Sequence, residues 1–323
     1  MAGRGWTEDE LVAGVLAGDR RALARSISLV EDRAPEGAEI VRRIYPSTGR
    51  AASIGVTGPP GVGKSSLVGA LVAHARAHGR SVGVVSVDPS SPFTRGALLG
   101  DRIRLADHFL DPDVYIRSMG TRGHLGGVAE ATLQALLLVD ASGKDVVFLE
   151  TVGTGQSEVE VIGIADVVLL VLMPGSGDAV QALKAGIMEI PDVIAVNKMD
   201  HPAAQTMLQE VRSIVALDPE RERRPPILLT EALRGEGVPE LWDALERRRH
   251  ELGERGELDR RRERNLTEEV EALAVARLRE RVQRLIAEDA DLGALIEGVR
   301  RRELDPLTAV GAVVEAVAGS ERT

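Results

Sequence analysis

The octapeptide Gly58-Pro59-Pro60-Gly61-Val62-Gly63-Lys64-Ser65 occupies every fixed position of the pattern G-x-x-x-x-G-K-[ST]. The apolar run Ser53–Thr57 precedes it, and from Ser65 to Ala77 apolar residues follow at helical spacing. A glycine-rich loop between a strand and a helix is the setting in which this pattern binds phosphate. The glycines let the backbone curl so that successive N–H groups meet phosphate oxygens. The helix N-terminus adds the positive end of its dipole. Lys64 can then reach the β- and γ-phosphates of a nucleotide and Ser65 can offer its hydroxyl to Mg²⁺, with Ser66 closing the nucleotide-binding set.

On either side of this loop the chain alternates strand and helix. Short, β-branched, nearly uncharged runs predict strands at Ser53–Thr57, Val82–Asp88, Val114–Arg117, Val146–Glu150, Val167–Leu172, Val193–Asn197 and Pro226–Leu229. Such runs are buried on both faces of a sheet. Amphipathic helices such as Ser65–Ala77 and Val128–Val139 fall between them, so the fold class is α/β, a P-loop NTPase with a doubly wound, mostly parallel sheet. Aromatic residues make up only 2% of the 323, so Leu, Val, Ile and Ala must build the core.

Residues 1–50 read as an N-terminal helical segment. Thr7 with Glu10 forms a capping-box pattern, and further helices start near Ala22 and Pro35. Residues 51–252 form the nucleotide-binding domain, and residues 253–323 a C-terminal helical region. That region begins with the charged stretch GERGELDRRRER, read as a solvated helix face or hinge. A long helix over Thr267–Glu288 and two shorter ones after Asp291 and Asp305 follow. The long helix carries the apolar stripe Val270, Leu273, Val275, Leu278, Val282, Leu285 and Ile286, which needs a partner surface, either its own chain or a second copy.

The net charge of −10 argues against a nucleic-acid surface. The lack of cysteine excludes disulfides and thiolate metal sites. The first residues lack the apolar stretch of ~7–15 residues of a secretion signal, and no apolar run reaches the ~18–20 residues of a membrane span. A cytoplasmic protein is expected.

Asn197-Lys198-Met199-Asp200, at the end of a predicted strand, matches N-K-x-D. An ionised Asp only accepts hydrogen bonds, and guanine offers it N1–H and a 2-amino group where adenine offers neither. In this pattern the Asn amide reads the O6/N7 edge and the Lys stem packs on the base. Thr230-Glu231-Ala232-Leu233 ends the next strand and is similar to the loop that supports guanine through a backbone N–H, here that of Ala232, with Thr230-Glu231 in place of the commoner Thr-Ser. Glu150-Thr151-Val152-Gly153 stands where a D-x-x-G motif would, with Glu for Asp. Its carboxylate can hold Mg²⁺ directly or through water, and the Gly153 N–H can sense the γ-phosphate. Asp88 and Asp101 are candidates for the Mg²⁺ or switch environment, or for turn and cap roles. Thr154 stands where a water-orienting Gln often follows the glycine, and Gln156 comes two residues later, so slow intrinsic hydrolysis is expected. His74 and His78 share one helix face without an evident third ligand and are read as solvated.

These motifs, with Val87–Ser91, Leu99–Arg102, Tyr115–Ser118, Gly123–Gly127, Gly175–Asp178, Gln181 and Lys184–Gly186 in order, identify a family. The chain resembles the MeaB/ArgK family of G3E P-loop GTPases, the methylmalonyl-CoA mutase-associated GTPases, most specifically over 50–235. The resemblance implies GTP/GDP and Mg²⁺ as ligands. It implies a homodimer formed by the C-terminal helical arm, and a role as a chaperone that gates adenosylcobalamin loading and protection of a B12-dependent acyl-CoA mutase. It places a first switch at 88–101, a second at 150–158 and a third, mutase-contacting switch at 175–189, with Asp178, Gln181 and Lys184 in the third. Met199 replaces the usual Ala of N-K-A-D, and Pro60 and Ser66 differ from many members.

Three other readings compete. A metal-delivery GTPase of the same superfamily needs Cys or His clusters, and the chain has no Cys and six scattered His. A signal-recognition type needs a Met-rich or basic RNA-binding domain, and the chain has six Met in an acidic composition. A small-molecule kinase of an arginine/ornithine transport system conflicts with the guanine-reading Asp200.

Overall fold

The computed structural model describes residues 6–88, 108–120, 127–151, 163–175, 191–217 and 224–319. Three helices come first: α1 (Glu8–Leu16), α2 (Arg20–Glu31) and α3 (Pro35–Ile44). The expected capping box opens α1, with Thr7 and Glu10 exchanging bonds. The Asp19 carboxylate opens α2 by accepting from the amides of Arg21 and Ala22, both at 2.8 Å, and Pro35 starts α3. The Thr7 and Asp19 side chains satisfy amides that the first helical turn leaves over, and Pro35 removes one such donor from α3.

Seven strands then alternate with helices: β1 (Ala52–Thr57), α4 (Lys64–Ala77), β2 (Val82–Asp88), β3 (Val114–Gly120), α5 (Gly127–Ala141), β4 (Val146–Thr151), β5 (Val167–Leu172), β6 (Val193–Val196), α6 (Ala204–Val215), β7 (Ile227–Leu229) and α7 (Val238–Glu254). The strands lie in the order β3-β2-β4-β1-β5-β6-β7, and every pairing is parallel. β1 is central, and the strand order reverses direction on its two sides. In an open parallel sheet, ligands bind outside the carboxyl ends of the strands at such a point.

Strand residues alternate between two buried faces. Ile54, Val56, Phe148, Leu169 and Val171 pack with α4 and α7. Val85, Val87, Val147 and Leu149 pack with α5 and the three N-terminal helices, while Leu170, Leu172, Ile194 and Val196 pack with α6. The N-terminal helices therefore share a core with the sheet, and α2 packs against both α5 and β3. Each fully buried Leu, Ile or Phe contributes about 1.5–3 kcal/mol relative to exposure.

The chain divides into two compact units, 1–265 and 266–323. The charged stretch is not a solvated hinge. It is the start of one helix, α8 (Glu257–Glu288), which begins ten residues before the expected Thr267. Leu258 there is buried in the core with α4 and α7. Arg261 grips the Asp192 carboxylate through both terminal nitrogens, at 2.7 and 3.1 Å. Arg262 grips Asp166 at 2.6 Å twice and also donates to the carbonyls of Gly49 and Ala51. Asp166 and Asp192 are only 2% and 3% exposed. They stand just before β5 and β6, at the edge of the sheet opposite the loop at 58–65. Both guanidinium groups hold their protons more tightly than usual: at Arg262 the hydrogen bonds to Asp166 lead, and at Arg261 burial, the largest single influence, opposes this but is outweighed by the hydrogen bonds to Asp192 together with the negative charges of Asp192, Asp166 and Glu257.

The second unit holds the rest of α8 with α9 (Ala290–Arg300) and α10 (Pro306–Gly319). Asp289 and Asp305 cap the two short helices. Leu292 and Ala309 are buried, whereas Val270, Val275, Leu278, Leu307, Val310 and Val314 are exposed. Among the described residues no helix is long and apolar enough to cross a membrane.

Candidate functional site

The loop of Gly58 to Gly63 leaves β1 at the carboxyl edge of the sheet and enters α4. Gly58 has φ +143°, and a Cβ there would stand 2.1 Å from the Val171 carbonyl oxygen of β5. Gly63 has φ +93°, and a Cβ would stand 2.6 Å from the Asn197 side-chain nitrogen. Both positions need glycine for backbone conformation and for space. Pro60 and Gly61 are exposed at the tip of the loop, while Val62 is buried beneath it. Pro59 and Ser66 are half-buried.

The Lys64 side chain is 7% exposed and folds back along the loop. Its Nζ donates to the carbonyls of Gly58 at 2.6 Å and Pro59 at 3.2 Å. The Ser65 hydroxyl donates to Glu150 Oε1 at 2.6 Å, and both groups are buried. Sheet register brings them together, because Glu150 pairs with Val56 two residues before the loop begins. The floor of the loop therefore carries two adjacent oxygen ligands of the hard type that Mg²⁺ prefers, a hydroxyl and a carboxylate. They fit that ion, with water completing its shell. Asp88 closes β2 at the same edge; of this residue only the backbone is described.

The third component comes from β6 and β7. Asn197 is 2% exposed. Its side-chain nitrogen donates to the Val62 carbonyl at 2.9 Å. Its oxygen accepts from the Thr230 hydroxyl and the Ala232 amide, each at 3.2 Å. One side chain thus ties the phosphate loop to the loop after β7. Lys198 adopts φ +61°, and its exposed side chain crosses the phosphate loop to donate to the Gly61 carbonyl at 3.3 Å and to contact the Met173 sulfur at 3.1 Å. The Met199 amide donates to the Thr230 carbonyl. Asp200 and Leu233 are exposed beyond these anchors, which leaves the Asp200 carboxylate facing solvent.

The structure thus brings together Gly58 to Ser66, Glu150, Asn197, Lys198, Asp200, Thr230, Ala232 and Leu233 along one edge of the sheet. Asp101, Gly153, Gln156, Asp178, Gln181 and Lys184 lie outside the described residues, as does Thr154. Two contributors escaped the sequence reading. Glu231, noted only as a departure from the usual Ser, is buried and accepts from the amides of Leu233 at 3.3 Å and Arg234 at 2.6 Å. It shapes the turn that holds the Ala232 amide in place. Met173, at the end of β5, supports Lys198. The available signal for Glu231 was a carboxylate followed by a turn at a strand end, a common way of satisfying loop amides.

His74 and His78 do share a helix face, with ring centroids 4.3 Å apart. Burial, with the nearby His78 adding to it, holds the His74 pKa below its usual value. Among the described residues there is no group of three or more His, Cys, Asp or Glu able to hold a metal ion.

Residues 23–287 match the family described as methylmalonyl Co-A mutase-associated GTPase MeaB. A Pyrococcus horikoshii protein whose name assigns it as a GTPase is 45% identical over 317 residues, 96% of this chain and 98% of its own length. A Caenorhabditis elegans protein, named a mitochondrial homolog of methylmalonic aciduria type A, is 36% identical over 274 residues, 79% of this chain and 69% of its own. The crystal structure of a LAO/AO transport system kinase is similar with a TM-score of 0.70 and 27% identity, covering 97% of this chain and 98% of that one.

Proposed function

We propose, from the premise that the chain belongs to the MeaB family of methylmalonyl-CoA mutase-associated GTPases, that its GTP hydrolysis gates adenosylcobalamin loading and protection of a B12-dependent acyl-CoA mutase in the cytoplasm, with methylmalonyl-CoA mutase as the client. The observation that carries the nucleotide half of this reading is the Asn197 brace, which joins phosphate loop and base loop into one site. The family assignment carries the partner half.

The residues divide the work by chemistry. The Asp200 carboxylate, an acceptor only, takes the guanine N1–H and 2-amino donors. Lys198 lies over the phosphate loop with its stem available to the base. Lys64 exchanges the Gly58 and Pro59 carbonyls for β- and γ-phosphate oxygens, a stronger set of acceptors because they are ionised. Ser65 and Glu150 would hold Mg²⁺, which supplies electrostatic stabilisation to the transferring phosphoryl group. Asp88 and Asp101 serve that environment from the first switch. Gly153 and Gln156 belong to the second switch, and Asp178, Gln181 and Lys184 to the third, which faces the mutase. Thr154 offers no amide to orient the attacking water, so hydrolysis by the isolated protein is slow and the partner completes the site.

The exposed apolar side chains of α8 and α10 are covered by a second copy, giving a homodimer through the C-terminal arm. A two-fold pairing would cover the same patch on both copies.

Nucleotide-dependent association tests the partner claim. Purified protein loaded with GDP or with a non-hydrolysable GTP analogue is passed with an adenosylcobalamin-dependent mutase over a sizing column. Co-elution that differs between the two states is expected. Equal absence of co-elution in both states with methylmalonyl-CoA mutase and with related acyl-CoA mutases would remove the proposal.

A further inference from the structure

β2 and β4 are neighbours in the sheet, and their register sets Ser86 opposite Glu150. Residues paired in this way on parallel strands share a face, since side chains alternate along each strand. The shared face is the one that α4 covers. Val84 and Phe148, two residues earlier on each strand, pack there with α4, whereas Val85, Val87 and Leu149 pack on the other side. Glu150 is therefore flanked by Val56 of β1 and Ser86 of β2, while its Oε1 accepts from the Ser65 hydroxyl at 2.6 Å.

Ser86 is 2% exposed, and its hydroxyl has no hydrogen-bond partner among the described residues. It interrupts a strand whose neighbours Val84, Val85 and Val87 are fully buried, so a valine there would suit packing better. A buried hydroxyl left unpaired is costly and uncommon. The hydroxyls of Ser26, Thr132 and Thr151 share this condition. However, α2 and α5 cover the opposite face of the sheet, toward which Thr151 also points. Ser86 differs from these three in standing beside a residue of the ion site.

The chemistry of the site gives that hydroxyl a task. A hydroxyl that ligates Mg²⁺ aims a lone pair at the ion, which turns its proton away from a neighbouring ligand. Once Ser65 does so, the donor that now orients Glu150 is redirected. Adjacent strands lie ~4.8 Å apart, so rotation about χ1 of Ser86 brings its hydroxyl toward the carboxylate opposite.

We infer that Ser86 is a positioning residue of the Mg²⁺ site, whose hydroxyl donates to the Glu150 carboxylate when Ser65 turns to the ion. The inference rests on Ser65 and Glu150 holding Mg²⁺, as proposed above. Groups that orient metal ligands typically contribute roughly 10–100-fold to metal affinity.

Calorimetry on the full chain tests this. GDP affinity, measured at several free Mg²⁺ concentrations and in EDTA, gives the Mg²⁺ affinity of the GDP complex by linkage. Ser86→Ala should weaken Mg²⁺ binding by about tenfold. It should leave GDP affinity in EDTA and the urea midpoint of the metal-free protein unchanged, because no hydrogen bond is lost there. Ser86→Thr retains the hydroxyl and should stay closer to the wild type in Mg²⁺ affinity than Ser86→Ala. Glu150→Gln separates the two claims. If it weakens Mg²⁺ binding and Ser86→Ala does not, the role of Ser86 is overturned and the ion site stands. If Glu150→Gln leaves Mg²⁺ binding unchanged, the ion site and the inference fall together. Equal loss of GDP affinity by Ser86→Ala with and without Mg²⁺ also overturns the inference, since the hydroxyl would then support the fold and not the ion.

Discussion

Replacing Asn197 by Ala separates two roles that its motif confounds. In the sequence pattern this Asn reads the base edge, whereas in the structure its amide group bonds Val62, Thr230 and Ala232. The substitution strands the Val62 carbonyl and the Ala232 amide in a buried place. The Thr230 hydroxyl can rotate toward another acceptor. Two unsatisfied buried groups at about 1–3 kcal/mol each give a loss of roughly 2–6 kcal/mol. If even the lower bound is expressed as disorder of the phosphate loop, nucleotide affinity falls about thirtyfold, at ~1.4 kcal/mol per tenfold. The assay is calorimetric titration of wild type and Asn197→Ala with GDP and with inorganic pyrophosphate, each with Mg²⁺. A brace predicts that both ligands lose affinity to a similar degree, because the phosphate loop itself is loosened. Thr230→Val, which removes one of the three bonds, should lose about 1 kcal/mol. Unchanged pyrophosphate affinity beside weakened GDP binding would refute the brace and return Asn197 to base reading alone.

Other expectations follow from the same geometry. Asp200→Asn exchanges a pure acceptor for a mixed donor and acceptor, so preference should move from guanosine toward xanthosine nucleotides in competition binding. Lys64→Ala should abolish measurable GTP turnover and weaken GTP binding, since it removes the ammonium at the phosphates. Arg262→Ala leaves the buried Asp166 carboxylate without its forked partner and should destabilise the first unit by about 3 kcal/mol in urea denaturation, the lower end for a broken buried pair because Arg262 is itself partly exposed. A chain ending at Leu252 loses Leu258, Arg261 and Arg262 and should unfold more easily than one ending at Asn265. On light scattering the chain ending at Asn265 should be monomeric and the full chain dimeric. The Arg76 guanidinium beside Asp111 holds its carboxyl below the usual carboxylate value. The folded pKa is the depressed one, so this contribution to stability is present above the unfolded pKa of about 3.9 and is lost as pH falls through the folded value. Asp111→Asn should flatten that part of the acid unfolding curve.

The sheet was legible because its strands are uninterrupted runs such as Val167–Leu172, which suit burial on both faces. Among the described residues the seven strands fall on the seven predicted runs; Val82–Asp88 and Val167–Leu172 coincide with theirs, and the other strands differ at one end by one to three residues. The phosphate loop was legible because its glycines answer a local demand of backbone and space. The start of α8 was not. Charge density suggests solvent, but Arg261 and Arg262 find their carboxylates 69 and 96 positions away along the chain. No local pattern encodes a pairing at that distance. The Asn197 brace escaped for a similar reason: N-K-x-D names the residue but not its bonds to Val62 and Ala232. Glu231 looked like a departure from the base-loop pattern, and its role as acceptor for two turn amides emerges only from the folded loop.

Gating of hydrolysis by a mutase is open to direct measurement. The direct measurement is the rate of GTP turnover by the purified full chain, alone and with an adenosylcobalamin-dependent acyl-CoA mutase added in stoichiometric amount. Slow turnover alone and clear acceleration by the mutase are predicted, and charge reversal at Lys184 should reduce the acceleration without changing GTP affinity. Turnover by the isolated chain at about 1 s⁻¹ or faster, near the range of an activated GTPase, with no response to the mutase, would contradict it.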